Sequence, residues 1–250
     1  MERCPQIRPR EEAAELIECY IRRHDLGPYD RLPSEREMCA AWDLNRTTLR
    51  NAIKRLTEEG KLYSQKGSGT YVAPPKLERS LQDAKSTTEV VRGAGCLLQT
   101  QLLDMEIFDC TPYISHRLRI PEGERVFYMR RLRIMDGVPY TIESDYINYG
   151  LCPGIEGYDF TDESLYRVLS YYNVYPTQGE ETIGITYATE DEAQRLQIMP
   201  GDCLFSQSGL SKTPEGKPIE YFKSIVRADK VRYSTMLHRK STRTERSQKE

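Results

Sequence analysis

The stretch from residue 31 to residue 72 constrains the fold of this chain more than any other. It reads RLPSEREMCAAWDLNRTTLRNAIKRLTEEGKLYSQKGSGTYV, the pattern of a short helix, a tight turn, a second helix rich in cations and a hairpin with glycines at its tip. It contains eight Lys and Arg against five Asp and Glu, a local net charge of +3, whereas the whole chain has −2. A slim cationic helix beside a basic hairpin is the layout that binding in the DNA major groove requires.

Capping residues set the limits of the two helices in this stretch. Ser34 and Glu37 form an S-x-x-E capping box for the first helix, and Asn45 is a good N-cap for the second. The second helix is predicted over residues 46–59 and stops at Gly60. Its apolar stripe consists of Leu49, Ala52, Ile53 and Leu56, and its cationic stripe of Arg46, Arg50 and Lys54. One stripe suits packing and the other suits phosphates or base edges, although a merely solvated cationic face is the alternative.

Composition divides the chain into two domains. A winged helix-turn-helix DNA-binding domain is predicted over residues 8–75, and the polar segment 76–87 is predicted as the linker. Residues 88–237 alternate like strands and include two strand–Gly-x-Pro–strand segments and two helices. This pattern indicates an antiparallel sheet flanked by helices, an α+β domain. The polar tail, residues 238–250, is predicted to be disordered.

A pair of arginines in the second domain points to a ligand. Arg131 and Arg133 lie two apart on a predicted strand, so both face the same side, along with Phe127 and Met129. Two arginines against an apolar surface are costly unless they bind an anion or pair with acids. A helix capped by Thr161 is predicted further on. Its free N-terminal N–H groups favour anions, and Ser164 lies near them.

Several motifs carry a resemblance to a known family. LPSEREM, NRTTLRNAIKRL and KGSGTYV resemble the winged helix-turn-helix signature of the GntR family of bacterial transcription regulators, over about residues 10–75. RRLRIMDGVPYTIES, DESLYRVL, EDEAQRLQI and GKPIEY resemble the UTRA effector domain of its HutC subfamily, over about residues 88–237. The resemblance implies a dimeric, ligand-responsive repressor that binds a palindromic operator, with an effector domain of chorismate-lyase-like fold.

The resemblance also implies roles for residues on the DNA side. Arg36, Arg46 and Arg50 match the family's DNA-contacting arginines, and Gly67 and Gly69 match a wing tip that approaches the minor groove. The predicted DNA-binding residues are Ser34, Arg36, Arg46, Thr47, Thr48, Arg50, Lys54, Lys66, Gly67 and Gly69. Arginines can bind phosphates or guanine edges, and the hydroxyl groups can bond to phosphates.

On the ligand side, the resemblance implies a small anionic effector, a sugar phosphate or a carboxylate. The positions that match effector contacts in UTRA domains are Arg131, Arg133, Glu143, Ser164, Tyr166 and Glu220. The two glutamates would accept hydrogen bonds from ligand hydroxyls. Related sugar-phosphate binders have a tyrosine where this chain has Val226. Two alternatives stay open: the charged residues form a partly exposed ion-pair ladder, and Tyr166 is a core aromatic.

This shared site requires a particular hairpin register. With a two-residue loop, Glu143 would face away from Arg131. We predict a three-residue loop over residues 135–137, which pairs Arg131 with Thr141 and puts Glu143 on the face of the arginines.

The composition disfavours other classes of protein. No run of 18 apolar residues is present and no apolar stretch follows the N-terminal charges, so we expect neither a membrane span nor a secretory signal. Seven scattered cysteines and three distant histidines show no metal-ligand spacing, so we expect no metal, no cofactor and a cytoplasmic location. An activator and a lyase-like enzyme stay as alternatives, although no nucleophile–base–orienter set stands out.

Overall fold

The computed structural model describes residues 9–65 and 67–237, which form a helical N-terminal domain and a larger domain built on an antiparallel sheet. The predicted α+β class is confirmed. The tail predicted over residues 238–250 lies outside the described residues. None of the helices in the described ranges is long and apolar enough to cross a membrane.

Three helices and a hairpin make up the N-terminal domain. They are α1 (Pro9–Arg23), α2 (Glu35–Trp42), α3 (Arg46–Glu58), β1 (Leu62–Gln65) and β2 (Gly69–Val72). Ile17 of α1, Met38 of α2 and Leu49 of α3 are fully buried in their shared core. Burying one such side chain contributes about 1.5–3 kcal/mol. This packing stabilises α2, because a helix of eight residues is not stable alone.

The predicted caps of the helix-turn-helix are confirmed. Ser34 Oγ accepts from the Glu37 N–H at 3.3 Å, and the Glu37 carboxylate accepts from the Ser34 N–H at 2.8 Å. Asn45 Oδ1 accepts from the Thr48 N–H at 2.8 Å. Between the helices, Asp43 takes the left-handed conformation with a φ of 51° and closes α2. That conformation costs about 1–2 kcal/mol for a residue with a Cβ, and Asp tolerates it better than most.

A six-stranded antiparallel sheet forms the second domain. The remaining strands are β3 (Leu77–Ser80), β4 (Leu98–Asp109), β5 (Arg125–Met135), β6 (Val138–Asn148), β7 (Gln178–Tyr187), β8 (Cys203–Lys212), β9 (Pro218–Arg227) and β10 (Val231–Ser234). The remaining helices are α4 (Thr87–Gly93), α5 (Pro112–Leu118), α6 (Leu165–Tyr171) and α7 (Glu190–Leu196). The strand order in the large sheet is β4-β5-β6-β9-β8-β7.

Helices cover both faces of this sheet. On the inner face, Phe127 and Met129 of β5 pack against Val168 of α6. On the outer face, Leu132 of the same strand packs against Leu196 of α7. Because successive residues of a strand alternate between faces, β5 contributes to two separate cores.

The hairpin between β5 and β6 differs from the prediction. Ile134 pairs with Pro139 across a two-residue turn of Asp136 and Gly137, so the three-residue loop predicted over residues 135–137 is wrong. The turn residues have φ values of 49° and 79°. An Asp-Gly pair with both φ values positive is favoured in two-residue hairpin turns, because its twist matches that of the strands.

A β-bulge at Tyr140 corrects the register immediately after this turn. Arg131 therefore lies opposite Glu143 and not opposite Thr141, so the predicted partner is also wrong. Glu143 nevertheless faces the arginines as predicted. The extra residue that we placed in the loop lies in the strand instead, and either position restores the same alternation of faces.

The segment predicted as linker is partly built into the second domain. β3 pairs in parallel with β10, and Leu77 is buried against Val226 and Val231. α4 begins within the same segment and is capped by Ser86. The domain boundaries stay a prediction, but the chain is attached to the second domain from Leu77 onward.

Thr161 does not cap the helix as predicted. α6 begins at Leu165 with Ser164 as its N-cap residue, and Ser164 makes no side-chain capping bond. Asp159 Oδ1 accepts hydrogen bonds from the N–H of Thr161 at 2.9 Å and from its hydroxyl at 2.6 Å. Such local bonds hold the backbone in a turn and delay the start of the helix.

The left-handed residue in the helix-turn-helix gives a stability prediction. Asp43→Gly should be more stable than Asp43→Ala by about 1 kcal/mol, because both lose the carboxylate but only glycine adopts a positive φ without strain. Urea unfolding of the two variants measures the difference. Equal free energies of unfolding would contradict the strained turn.

Candidate functional sites

A row of cations lies on the exposed side of α3. Arg46, Arg50 and Lys54 are exposed, as is Thr47, whereas Thr48 is half-buried. The opposite side of the helix is fully packed in the core of the N-terminal domain. The predicted separation into a buried stripe and a cationic stripe is therefore confirmed.

One of these cations is held in place by the preceding helix. Arg50 Nε donates to Glu35 Oε2 at 2.8 Å, and 66% of the Arg50 side chain stays exposed. An exposed pair of this kind contributes little to stability. Its effect is to orient the guanidinium group between α2 and α3. Arg36 and Ser34 are exposed at the start of α2, so the N-terminal turns of both helices share this side of the domain.

The hairpin of β1 and β2 forms the wing. Gly67 has a φ of 78° and a Cβ added there would meet no atom within 4 Å. Gly69 has a φ of 138°, which strains any residue with a Cβ, and an added Cβ would lie 2.9 Å from Arg31 Nε, so glycine is favoured there. Lys66 lies outside the described residues. The wing tip is thus thin and open, as a groove contact requires.

In the second domain, the inner face of the sheet presents side chains in rows that cross the strands. The rows are Phe127, Ile147, Glu220 and Ser211; Met129, Asp145 and Phe222; Arg131, Glu143, Ser224 and Gln207; and Arg133, Thr141, Val226 and Phe205. Arg131 therefore stands beside the carboxylate of Glu143 on the neighbouring strand, whereas Arg133 stands beside Thr141. All six predicted effector residues line one cavity on this face.

Arg131 is paired with two acids. Its Nη2 lies 2.8 Å from Asp145 Oδ2 and 3.4 Å from Glu143 Oε2, and its side chain is 4% exposed. Burial alone would lower its pKa, but the two carboxylates outweigh burial and raise it. Arg131 is therefore a permanent cation in this cluster.

Arg133 is less completely paired. Its Nη2 donates to Thr88 Oγ1 at 2.8 Å, while its nearest carboxylate oxygen, on Glu143, is 3.7 Å from Nη1. Burial lowers the pKa of Arg133 despite the nearby acid. The Nε atoms of both Arg131 and Arg133 have no hydrogen-bond partner among the described residues. Both groups therefore have donors to spare.

Glu143 lies between the two arginines and the start of α4. The hydroxyl of Thr87 donates to its carboxylate. Burial raises the pKa of Glu143, but Arg133 and Arg131 together outweigh burial and lower it below the ordinary range. Glu143 is therefore ionised, and the ion-pair alternative is correct in part: the pairs exist, but they are buried rather than exposed.

Glu220 occupies the other end of the cavity. Its Oε2 accepts from Ser211 Oγ at 2.7 Å and from the Tyr166 hydroxyl at 3.0 Å. Burial, reinforced by the charge of Asp145, raises the pKa of Glu220 to about 8. Burial also raises the pKa of Asp145, although Arg131 opposes that shift. With Glu220 protonated at neutral pH, two cations face two carboxylates.

The remaining predicted residues form the wall on the α6 side. Ser164 lines the cavity at the start of that helix. Tyr166 lines it too and bonds to Glu220, so it is a polar wall residue rather than only a core aromatic. The cavity measures about 60 Å³. That volume holds only a few water-sized groups, so a larger ligand requires its walls to move.

Sequence reasoning missed three residues of this cluster. Asp145 stands two residues after Glu143 on the same strand, and the alternation of faces was a sufficient signal to find it. Thr87 and Thr88 lie at and just beyond the end of the predicted linker, where a polar composition gave no signal. Within the described residues, no group of three or more His, Cys, Asp or Glu could hold a metal ion.

The raised pKa of Glu220 gives a pH prediction. The folded chain keeps a proton that the unfolded chain releases above its ordinary pKa of 4.5. This stabilisation is complete below pH 4.5 and is lost as the pH rises to about 8. The free energy of unfolding of Glu220→Gln should therefore rise relative to that of the wild type between pH 5 and pH 9, by on the order of 4 kcal/mol.

Urea unfolding at pH 5, 7 and 9 measures this gain. The control is Glu106→Gln, which changes an exposed carboxylate on β4. A difference between Glu220→Gln and wild type that does not change with pH would contradict the protonated Glu220.

Both domains match known families. Residues 9–72 match the family described as bacterial regulatory proteins, gntR family, and residues 94–232 match the UTRA domain. The chain is 31% identical over 179 residues to the histidine utilization repressor of Pseudomonas putida, covering 71% of each protein. It is 29% identical over 228 residues to the HTH-type transcriptional repressor NagR of Bacillus subtilis (strain 168), covering 91% of this chain and 93% of that protein.

A solved structure shares the fold. PhnF from Mycobacterium smegmatis superposes with a TM-score of 0.67 at 24% identity, covering 91% of this chain and 99% of that one. The family matches cover the helix-turn-helix and the sheet domain separately, in the order found here. The chain therefore belongs to the GntR family of bacterial transcription regulators, of the HutC type with a UTRA domain, and is a DNA-binding regulator rather than an enzyme.

Proposed function

We propose that this chain is a dimeric repressor that binds a palindromic operator in the cytoplasm and is released by a small anionic effector, a sugar phosphate or a carboxylate. The observation that carries the proposal is Arg133: a buried guanidinium group whose closest carboxylate oxygen is 3.7 Å away and whose Nε has no partner among the described residues. A phosphate or carboxylate satisfies such a group better than a hydroxyl, because its negative charge attracts the cation and its oxygens match the planar fork of guanidinium donors.

The acids of the cluster explain why a hydroxyl-bearing anion is favoured over a bare one. Glu143 and Asp145 are acceptors, so they repel a second negative charge but bind hydroxyl donors. An effector with its anionic group at the arginines and hydroxyls toward the carboxylates satisfies both ends. A sugar phosphate has this arrangement, and so does a hydroxy acid.

The start of α4 provides a route from the cavity toward the DNA-binding domain. Thr88 bonds to Arg133 and Thr87 bonds to Glu143. An anion that takes over the Arg133 donors displaces Thr88, and the helix that carries it follows β3 and the N-terminal domain in the chain. The effector would thereby favour one arrangement of the two domains over another.

Repression requires two copies to read two half-sites. In helix-turn-helix dimers, the recognition helices lie about one DNA turn apart and their symmetry is mirrored in the operator. A change in the spacing of the two α3 helices lowers affinity without altering either helix. The relatives named as repressors favour repression over activation for this chain.

The role of Arg133 predicts a loss of response without a loss of DNA binding. Sugar phosphates or hydroxy acids should raise the melting temperature of the wild type and weaken its operator binding. Arg133→Gln should lower the affinity for that anion at least tenfold, since hydrogen bonds to charged groups contribute about 1.5–3 kcal/mol, and should leave operator affinity unchanged.

Thermal shift and fluorescence anisotropy on an operator selected from random-sequence DNA measure both effects. The matched control is Arg130→Gln, which removes a partly exposed arginine from the other face of the same strand. An Arg133→Gln protein that responds like the wild type would refute the proposed site. A selected operator without two-fold symmetry would refute the dimer.

The cationic row predicts a salt-dependent loss of DNA affinity. Arg46→Ala should reduce operator affinity about tenfold or more and, where the contact is a phosphate, reduce the slope of log affinity against log salt by about 1. Arg55→Ala is the control, because Arg55 lies on the same helix but pairs with Glu59 at 2.8 Å. Equal losses in the two variants would contradict a specific role for the row.

A further inference from the structure

A second, smaller cavity adjoins the effector site beyond Glu143. Arg79, Thr87 and Glu143 line both cavities. The further polar walls are Tyr140, Thr141 and Tyr233, and the apolar walls are Leu77, Val90, Val226 and Val231. Its volume is about 10 Å³, which is room for one oxygen-sized group.

Three hydroxyl groups in this second cavity have no hydrogen-bond partner among the described residues. They belong to Tyr140, Thr141 and Tyr233. Tyr140 and Thr141 are each 2% exposed, and the Tyr233 hydroxyl oxygen is buried as well. Buried hydroxyls without partners cost free energy, and they are rare in folded proteins. Three such hydroxyls in one cavity indicate that a further group is needed to supply their hydrogen bonds.

Two features of the sheet create this cluster. The bulge at Tyr140 brings two consecutive side chains, Tyr140 and Thr141, to one site, where a regular strand would point them to opposite faces. Val226 lies opposite Thr141 on the next strand, and its small side chain leaves the space open. The neighbouring ring of Tyr233 is fixed by edge contact with Phe205, at 5.1 Å between centroids.

We propose that this second cavity, which we call the hydroxyl compartment, binds an uncharged oxygen, a hydroxyl or a carbonyl, at the end of the effector opposite its anionic group. This inference rests on the proposed function, because it places the anion at Arg131 and Arg133. Arg133, Thr141 and Val226 stand side by side on adjacent strands, about 5 Å apart each. The effector therefore carries this oxygen about 5–10 Å from its phosphate or carboxylate group.

Charge and size explain why the group is uncharged. Arg79 and Glu143 flank the compartment with opposite charges, and Arg79 lies 3.5 Å from Glu181 as well. The two charges cancel, so the compartment has no net charge that would attract an ion. A volume of about 10 Å³ is too small for a second phosphate. Hydroxyl groups donate and accept, so they suit either a hydroxyl or a carbonyl oxygen.

Matched pairs of small ligands test the compartment in the full chain. The probes are n-alkyl phosphates and ω-hydroxyalkyl phosphates of two to six carbons, with binding followed by calorimetry; alkanoates and ω-hydroxyalkanoates form a second series. At one chain length the wild type should prefer the hydroxyl member by about tenfold, the effect of one hydrogen bond. Tyr140→Phe and Thr141→Val should each reduce that preference, and the double variant should abolish it while still binding the alkyl member.

Stability provides a readout that is independent of any ligand. Tyr140→Phe and Thr141→Val remove unpartnered hydroxyls with little change of shape, so each should raise the melting temperature of the free protein by about 2–4 °C. Tyr146→Phe is the control, since Tyr146 lies on the outer face of the same strand as part of another cluster. A fall in melting temperature for both cavity variants would mean that the hydroxyls belong to the fold itself and would overturn the proposal.

The outcomes separate this inference from the proposed function. If alkyl phosphates or alkanoates bind in an Arg133-dependent manner but no chain length shows a hydroxyl preference, the compartment is wrong and the anion site stands. If neither series binds, the anionic effector is wrong and the compartment falls with it. If the double variant Tyr140→Phe, Thr141→Val still prefers the hydroxyl ligands, the hydroxyl compartment is wrong, and the proposed anion site is unaffected.

Discussion

The burial of two guanidinium groups on one face of the sheet is the constraint around which the effector domain is organised. Removing each ion from water costs several kcal/mol, even after the surroundings relax. Asp145 at 2.8 Å offsets this cost for Arg131, and Glu143 is shared between both arginines. Arg133 is satisfied only by a threonine and a distant carboxylate. The unequal pairing leaves more spare donor capacity at Arg133, next to α4, than at Arg131.

That asymmetry connects the cavity to the chain that leads from the DNA-binding domain. Thr87 and Thr88 bond to the charged cluster, and β3, which ends six residues before α4, pairs with β10 of the effector domain. Under the proposed function, a change at Arg133 therefore acts on a segment that is attached to the effector domain at both ends, by β3 and by α4. A free linker would dissipate such a change, because it transmits no preferred direction.

The sequence predicts local structure well and fails where two alternatives have equal local chemistry. The capping box of Ser34, the Asn45 cap and the two stripes of α3 are where a few neighbouring residues place them. The bulge at Tyr140 was not predictable in the same way. An extra residue in the loop or in the strand gives the same pattern of faces, and only pairing across the sheet decides between them.

The same distinction applies to the residues of the candidate site: some follow from local periodicity and others from long-range contacts. Residues at alternate positions of one strand, such as Arg131 and Arg133, are found from periodicity, and Asp145 is accessible by the same rule. Thr87 and Thr88 reach the site only because α4 folds back onto the sheet, a long-range contact without a local signature. The unpartnered hydroxyls of the second cavity depend on the bulge, so they too follow from tertiary structure.

Under the proposed function, the energetics of the switch favour a requirement for two bound effectors. Reversing a two-state equilibrium from 99:1 to 1:99 needs about 5.5 kcal/mol of differential binding. Exchanging the hydroxyl of Thr88 for an anionic oxygen on Arg133 gains at most about 1.5–3 kcal/mol, the full value of a hydrogen bond to a charged group, because the bond to Thr88 is lost. One site is therefore too weak to reverse the equilibrium alone, whereas the two sites of a dimer together supply up to about 3–6 kcal/mol. Under the proposed function, a single bound effector loosens the complex with DNA, and the second completes its release.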